Sequence, residues 1–365
     1  MKALHILHSG LGGSSSVVFS ILKENNLNHF CKQYVLFTGH TLFKDYKNKT
    51  KKLSCQSYFI KTKKFLPWLQ WLNIFIKLCR IKPDIILLHN FQHIPVLFYK
   101  LLFKKKVIFV DHQSEFFLKY KTLIVSLISL IFFNHIIFVN KKKKLNFEKK
   151  FQLFKKKISF IPNSVDINFF NNLSNTIKSS VYKIGMAARV DNGKKHELII
   201  KSLNLPKLKD LKIIFSIAGD GENIKNLKKI EKINNLEKKV YFEGSLSEDQ
   251  IKSWYMKLNL YVHASKGEGM SISILEAMSM EIPVIGSNVI GINNLLDEKS
   301  KIGILFNNTA LDLSNKIHYF YHCSSSKINE FKNSQRNLVK NKFSSLKMYN
   351  KYNKVILKTL DKQKV

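Results

Sequence analysis

Along this chain, short runs of β-branched and aromatic residues alternate with stretches of helical pattern. That alternation constrains the fold more than any other feature. The strand candidates of the first half are residues 3–9, 33–38, 57–62, 84–89, 106–111, 135–139 and 158–162. Those of the second half are 182–187, 212–219, 239–244, 258–264, 282–287 and 302–306. Several are continuously apolar, as strands covered on both faces are. Strand–helix alternation predicts parallel βαβ units. A polar, turn-rich stretch at 163–180 separates two complete sets, and 365 residues suit two domains. The expectation is an α/β fold of two Rossmann-like domains, 1–166 and 181–342, with a cleft between them. A helical segment, 343–365, is expected to cross back to the first domain. Ligands of such sheets bind beyond the carboxyl ends of the strands, so function is expected in the loops that follow them.

Composition narrows the class. The net charge is 61 − 25 = +36, nearly all of it lysine, and Arg80, Arg189 and Arg336 are the only arginines. Either compositional bias or an anionic partner explains such a balance. Specific nucleic-acid readers favour bidentate arginine, so the scarcity of arginine points away from them and toward a membrane surface. Cys31, Cys55, Cys79 and Cys323 form no CxxC pair and no cluster with metal spacing, and read as reduced, mostly buried thiols of a cytosolic protein. The first residues lack the long apolar core of a signal peptide. Residues 123–139 form the most apolar stretch, too short to span a bilayer and broken by Asn134-His135. They predict a buried helix ending near Phe133, followed by a strand.

Two loops carry the chemistry. After the strand LNLYVHA comes Glu268-Gly-Met-Ser-Ile-Ser-Ile-Leu-Glu276, with a helix starting near Ser271. Its exposed N–H groups make an anion site suited to a diphosphate. Ser271 to Glu276 covers about 7.5 Å of helix, so one carboxylate can reach a sugar and the other a ribose. After the strand YKIGMA comes Arg189-Val-Asp-Asn-Gly-Lys194-Lys195-His196. Two cations at a strand end suit the charge on a departing nucleotide. Taken singly, a basic loop in a basic protein and two solvated glutamates explain these residues as well.

Taken together, they resemble a known family. GMAARVDNGKKHELIIKSL, IAGDGE, YFEGSL and LYVHASKGEGMSISILEAMSMEIPVIGSNVIGINNLL resemble the retaining glycosyltransferases of family 4, also called glycosyl transferases group 1, which have the GT-B fold. IPNSVD at 161–166 is similar to that family's inter-domain turn. The resemblance implies a first domain that binds the acceptor and a second that binds a nucleotide diphosphate sugar. Arg189 and Lys194 then hold the donor diphosphate, Glu268 lies near the donor sugar as a catalytic residue, and Glu276 meets the ribose. Gly269, Met270 and Ser271 contact phosphate and sugar through backbone amides, and the FEG of YFEGSL lies where the base is held. Gly12 and Gly13, in HSGLGGSSS, match the glycine loop near the donor phosphates, where a tight turn is the other explanation. His112 matches a histidine near the reacting sugar, a second catalytic candidate, with Asp111 leaving the register open. Lys195, Glu281, Asn294 and Asn140 depart from the family pattern.

The reaction so implied moves a sugar from a nucleotide diphosphate donor to an acceptor hydroxyl. It does so with retention, no metal, no other cofactor and no covalent enzyme intermediate. Residues 61–80 place lysines before a helix carrying Trp68, Trp71 and Phe75, with Phe65 ahead of it, and lysine runs recur at 141–144 and 155–157. An interfacial helix has that pattern. It suits a cytoplasmic enzyme, peripheral on the inner face of the cytoplasmic membrane, whose acceptor is a lipid-linked or surface polysaccharide or lipopolysaccharide glycan. A core-packing helix has it too. Two rival functions are a nucleotide-sugar isomerase or phosphorylase on the same fold and a non-enzymatic polyanion-binding protein.

Overall fold

A computed structural model describes residues 1–10, 12–62, 67–113, 120–171 and 181–361. Lys63, Lys64 and Phe65 of the basic-aromatic stretch, Ser114, and residues 172–180 of the polar boundary segment lie outside the described residues. The chain divides into two compact units, residues 1–164 with 345–365, and residues 165–344.

The first unit alternates β1 (Lys2–His8), α1 (Gly13–Asn28), β2 (Lys32–Gly39), α2 (Lys44–Lys52), β3 (Gln56–Lys61), α3 (Pro67–Ile81), β4 (Ile85–Leu88), α4 (His93–Phe103), β5 (Lys106–Asp111), α5 (Tyr120–Phe132), β6 (His135–Phe138), α6 (Lys141–Lys150) and β7 (Ile158–Phe160). Its strands form one parallel sheet in the order β3-β2-β1-β4-β5-β6-β7. The inner strands bury both faces; Ile85 to Leu88, four apolar residues in a row, are all inaccessible. The edge strand β3 is polar and partly exposed, which blunts edge-to-edge pairing. The apolar stretch at 123–139 divides as expected into the end of α5 and the strand β6, but α5 is not a buried helix: it covers the sheet with one side only, and Ile124, Ile131 and Phe132 are exposed.

The second unit contains β8 (Tyr182–Ala187), α7 (His196–Leu203), β9 (Ile213–Ala218), α8 (Ile224–Ile233), β10 (Val240–Gly244), α9 (Glu248–Tyr255), β11 (Leu260–His263), α10 (Ile272–Ser279), β12 (Val284–Ser287), β13 (Ile304–Phe306), α11 (Ala310–Tyr321) and α12 (Ser325–Lys342). Its parallel sheet runs β10-β9-β8-β11-β12-β13. Arg336 of α12 is spent on architecture, donating to the carbonyls of Ile167, Phe170 and Ser279.

The last helix, α13 (Ser345–Asp361), belongs to the first unit. Its Ser345 hydroxyl donates to Glu24 of α1 and its Tyr349 hydroxyl to Asn25. The thirteen strands of the described residues fall on the thirteen segments expected, and each unit has the parallel α/β architecture that the resemblance implied. The thiols are a correction: Cys55 is buried, but Cys31, Cys79 and Cys323 are only half-buried, because each sits where an element meets the surface rather than inside a layer.

Both sheets reverse direction of growth beside their first strand. The switch points lie between β1 and β4 and between β8 and β11. These are the places where open α/β sheets present ligand crevices.

Candidate functional site

In the second unit the loops after β8 and β11 flank the switch point. Asp191 shapes the first loop, its Oδ1 accepting the N–H groups of Gly193 (2.9 Å) and Lys194 (3.2 Å). Two backbone bonds fasten that loop to the next, Lys195 N–H to Ala264 O at 3.0 Å and Lys266 N–H to Gly193 O at 2.9 Å. The second loop is held from its other side, where Glu268 N–H donates to Ile290 O at 3.0 Å. Gly291 makes that approach possible: its φ is +86°, and a Cβ there would stand 2.1 Å from the Glu268 carbonyl oxygen.

This backbone framework brings Lys194 Nζ onto Glu268 Oε1 as an ion pair. His263, the last residue of β11, meets the same oxygen through Nε2 at 2.8 Å. A carboxylate only accepts, so Nε2 carries the proton. His263 Nδ1 in turn meets the Tyr261 hydroxyl at 3.1 Å, and that hydroxyl also bonds Ser273 Oγ at 2.8 Å. Burial alone would raise the Glu268 carboxyl. The Lys194 ammonium and the His263 ring outweigh it and hold the group well below the usual carboxylate range. Burial lowers the His263 ring, with Glu268 opposing. The Glu268 carboxyl therefore stays ionised at neutral pH.

The other expected residues have different partners. Arg189 pairs with Asp191 at 3.2 Å, its side chain 70% exposed. Glu276 accepts from the buried Tyr255 hydroxyl at 2.9 Å. Gly269 and Met270 join Glu268 to Ser271, the N-cap residue of α10. The Ser271 hydroxyl bonds Ser273 rather than capping, so no side chain of the N-cap satisfies the first turn of α10. His263, Tyr261 and Asp191 were missed from the sequence. The available signal was a polar residue, His263, closing an otherwise apolar strand five residues before Glu268.

In the first unit, Gly12 and Gly13 follow β1 at the start of α1, and a Cβ on Gly12 would meet nothing within 4 Å. The protein's own packing therefore does not require glycine there. Asp111, the last residue of β5, is engaged by Lys143 Nζ at 2.7 Å and by Gln113 N–H at 2.9 Å. The His112 ring turns to His89, Nε2 to Nδ1 at 3.0 Å. Among the described residues no group of three His, Cys, Asp or Glu is arranged to hold a metal ion.

Residues 170–342 match the family model described as "Glycosyl transferases group 1". The chain is 29% identical over 173 residues to the O-antigen biosynthesis glycosyltransferase WclY of Escherichia coli, covering 47% of this chain and 45% of that protein. It thus spans about half the length of that relative. It is 24% identical over 379 residues to an uncharacterized 41.2 kDa protein in the cps region of Klebsiella pneumoniae, covering 96% of this chain and 98% of that one. Among solved structures, HepE of Anabaena in complex with UDP-glucose superposes with a TM-score of 0.82 at 15% identity, covering 98% of this chain and 100% of that chain.

Proposed function

We propose, from the match of residues 170–342 to the glycosyl transferases group 1 model and from the Lys194–Glu268 pair within them, that the chain transfers a sugar from a nucleotide diphosphate donor to an acceptor hydroxyl. The observation that carries this reading is the cluster Lys194–Glu268–His263 at the carboxyl end of the sheet, beside an α10 N-terminus without a side-chain cap. Lys194 supplies a cation and α10 supplies N–H groups, and both suit a diphosphate leaving group. Glu268 stays ionised and accepts hydrogen bonds from sugar hydroxyls. It is tied to Lys194 and His263, which suits it to hold the sugar rather than attack it, so retention proceeds by displacement from the leaving-group face. Neutralisation comes from Lys194 and backbone dipoles, and the mechanism requires no metal. HepE was solved with UDP-glucose, which favours a UDP-sugar for a first trial.

The acceptor is a lipid-linked glycan of a surface polysaccharide, reached from the inner face of the cytoplasmic membrane. WclY, named for O-antigen biosynthesis, supports that class. So does the surface of α3 and α4, where Trp68, Leu72, Ile76, Phe98, Leu101 and Leu102 are all exposed. Lys104 and Lys105 follow at the end of α4, and the chain carries +36. Among the described residues no helix is long and apolar enough to cross a membrane. An exposed apolar face with basic flanks instead docks on anionic lipid.

The test is a panel of UDP-, GDP- and ADP-sugars scored by thermal stabilisation and by nucleotide release with and without a lipid-linked acceptor. Free ligand at a hundred times its dissociation constant adds about 2.7 kcal/mol. One donor class stabilises the protein, and nucleotide appears only when acceptor is present. No stabilisation by any donor removes the reading. For the membrane surface, co-sedimentation with anionic vesicles is lost at high salt, and equal partition to neutral vesicles removes that part.

A further inference from the structure

A chain of hydrogen bonds runs through the interior of the first unit and ends at His112. It starts on backbone. Asn25 Nδ2 donates to Cys31 O at 2.8 Å, and Asn25 Oδ1 accepts Cys31 N–H at 3.2 Å. Those two bonds fix which way the Asn25 amide faces. Cys31 Sγ lies 3.5 Å from Asn25 Oδ1, an atom that can only accept, so the thiol proton points there. The sulfur lone pairs are left for Gln33 Nε2, which donates to Sγ at 3.1 Å. The Gln33 amide therefore turns its oxygen toward His5, and Oε1 meets His5 Nε2 at 3.0 Å. His5 Nδ1 meets His89 Nε2 at 3.0 Å, and His89 Nδ1 meets His112 Nε2 at 3.0 Å.

Each link dictates the next. Gln33 Oε1 needs a donor, so His5 carries its proton on Nε2 and offers a lone pair at Nδ1. His89 must donate from Nε2 and accept at Nδ1, and His112 must donate from Nε2. This relay requires each ring to hold one proton. Burial pushes His5 and His112 down to about 4, and His89 well below its ordinary value, so all three are neutral at pH 7. Burial also pushes the Cys31 thiol up to about 11, which keeps its proton in place. The far end of the chain is His112 Nδ1, a buried atom without a hydrogen-bond partner among the described residues.

We propose that Gln33, His5 and His89 are positioning residues that lock His112 in the Nε2–H tautomer, leaving Nδ1 as a bare acceptor for a ligand hydroxyl or N–H group. Gln33 and His5 act wholly through their neighbours. A locked acceptor takes a sugar hydroxyl and rejects a phosphate or carboxylate oxygen, which brings no proton. The identity of the ligand as a sugar rests on the transferase reading above. The tautomer does not.

The experiment uses the full chain labelled with 15N-histidine, with long-range 15N–1H correlation spectra at neutral pH. His112 is assigned by its absence in His112→Asn. The expected result is a protonated Nε2 and an unprotonated Nδ1 on His112. A proton on Nδ1 overturns the proposal. In Gln33→Leu the anchor is gone, and His89 and His112 become mixtures of both tautomers. His93, bonded to Ser129, and His135, bonded to Ser159, lie in the same unit and report that its fold persists. An unchanged His112 in that variant overturns the proposal. His89→Phe cuts the last link and serves if Gln33→Leu does not fold. The spectra need no substrate. A locked tautomer in a protein that no nucleotide sugar stabilises sinks the transferase reading alone.

Discussion

Two lysine–carboxylate pairs sit at strand ends, one in each unit, and differ in what surrounds them. In the first unit Lys143 meets Asp111 at 2.7 Å with side chains only 4% and 5% exposed. In the second, Lys194 meets Glu268 with 17% and 13% exposed, beside a helix start lacking a side-chain cap. The chemistry is the same and the accessibility is not. A sealed pair can only hold its own loop. An open pair can exchange partners with a ligand that carries both hydroxyls and phosphates. Burial, rather than residue type, separates the structural pair from the functional one.

The strongest way to break that distinction is to remove one partner from each pair. Lys143→Ala leaves the Asp111 charge uncompensated in the interior, which costs about 3–5 kcal/mol. Urea or thermal unfolding measures it. A loss under about 1 kcal/mol would mean that water reaches Asp111 and that the pair is not sealed. Lys143→Met combined with Asp111→Leu should recover most of the loss, since apolar replacement of a buried pair is often neutral.

Lys194→Ala should leave stability much closer to wild type and instead lower kcat/KM for transfer by about 10²–10³, the cost of one donor at a developing anion. Glu268→Ala should also abolish transfer while the fold persists. Arg189→Ala comes next in size, because this guanidinium is largely exposed and already paired with Asp191. Should Arg189→Ala cost more than Lys194→Ala, the phosphate is held by the exposed arginine, and the Lys194 pair is structural like its counterpart.

The fold was legible because periodicity is local. Most strands of both sheets announced themselves as runs of β-branched or aromatic residues. The site was legible only as a set of loops. Nothing in the spacing of residues 189–194 and 268–276 says that Lys194, and not Arg189, reaches Glu268. Two backbone bonds between loops decide it, Lys195 to Ala264 and Lys266 to Gly193. His263 was invisible for a related reason. One histidine at a strand end has no periodic signature, and only the strand register turns it toward Glu268. The first unit hid more, since Gln33, His5 and His89 come from three different strands or strand ends.

Acidification separates the units more gently. Burial lowers His5, His93 and His112 to about 4, and His89 well below its ordinary value, all in the first unit. The second unit has His196, lowered to about 4, and His263. A histidine depressed on folding stabilises fully above its unfolded value near 6.5. That stability is lost as pH falls from 6.5 toward 4, by about 1.4 kcal/mol per pH unit for each independent group. Glu268 behaves oppositely: its contribution holds above the ordinary carboxylate value and is lost only in stronger acid. Hydrogen exchange between pH 6.5 and 5 should therefore show first-unit amides losing protection before those around Glu268. The reverse order would mean that the histidine chain is hydrated and titrates normally.

The smallest expected effect contrasts two helix starts. Asn140 caps α6, its side chain accepting the Lys143 N–H at 3.0 Å, and so holds the helix that carries Lys143 to Asp111. Asparagine and serine cap about equally well. Asn140→Ala should cost about 1 kcal/mol and Asn140→Ser only a few tenths. Ser271 occupies the same position on α10 but makes no capping bond. Ser271→Ala should therefore cost less stability than Asn140→Ala, because the N–H groups of α10 lose no partner. Paired unfolding curves of the two alanine variants decide it. Equal losses would mean that the start of α10 is already satisfied by its own side chain, and an N-terminus so satisfied has no free donors to offer a diphosphate.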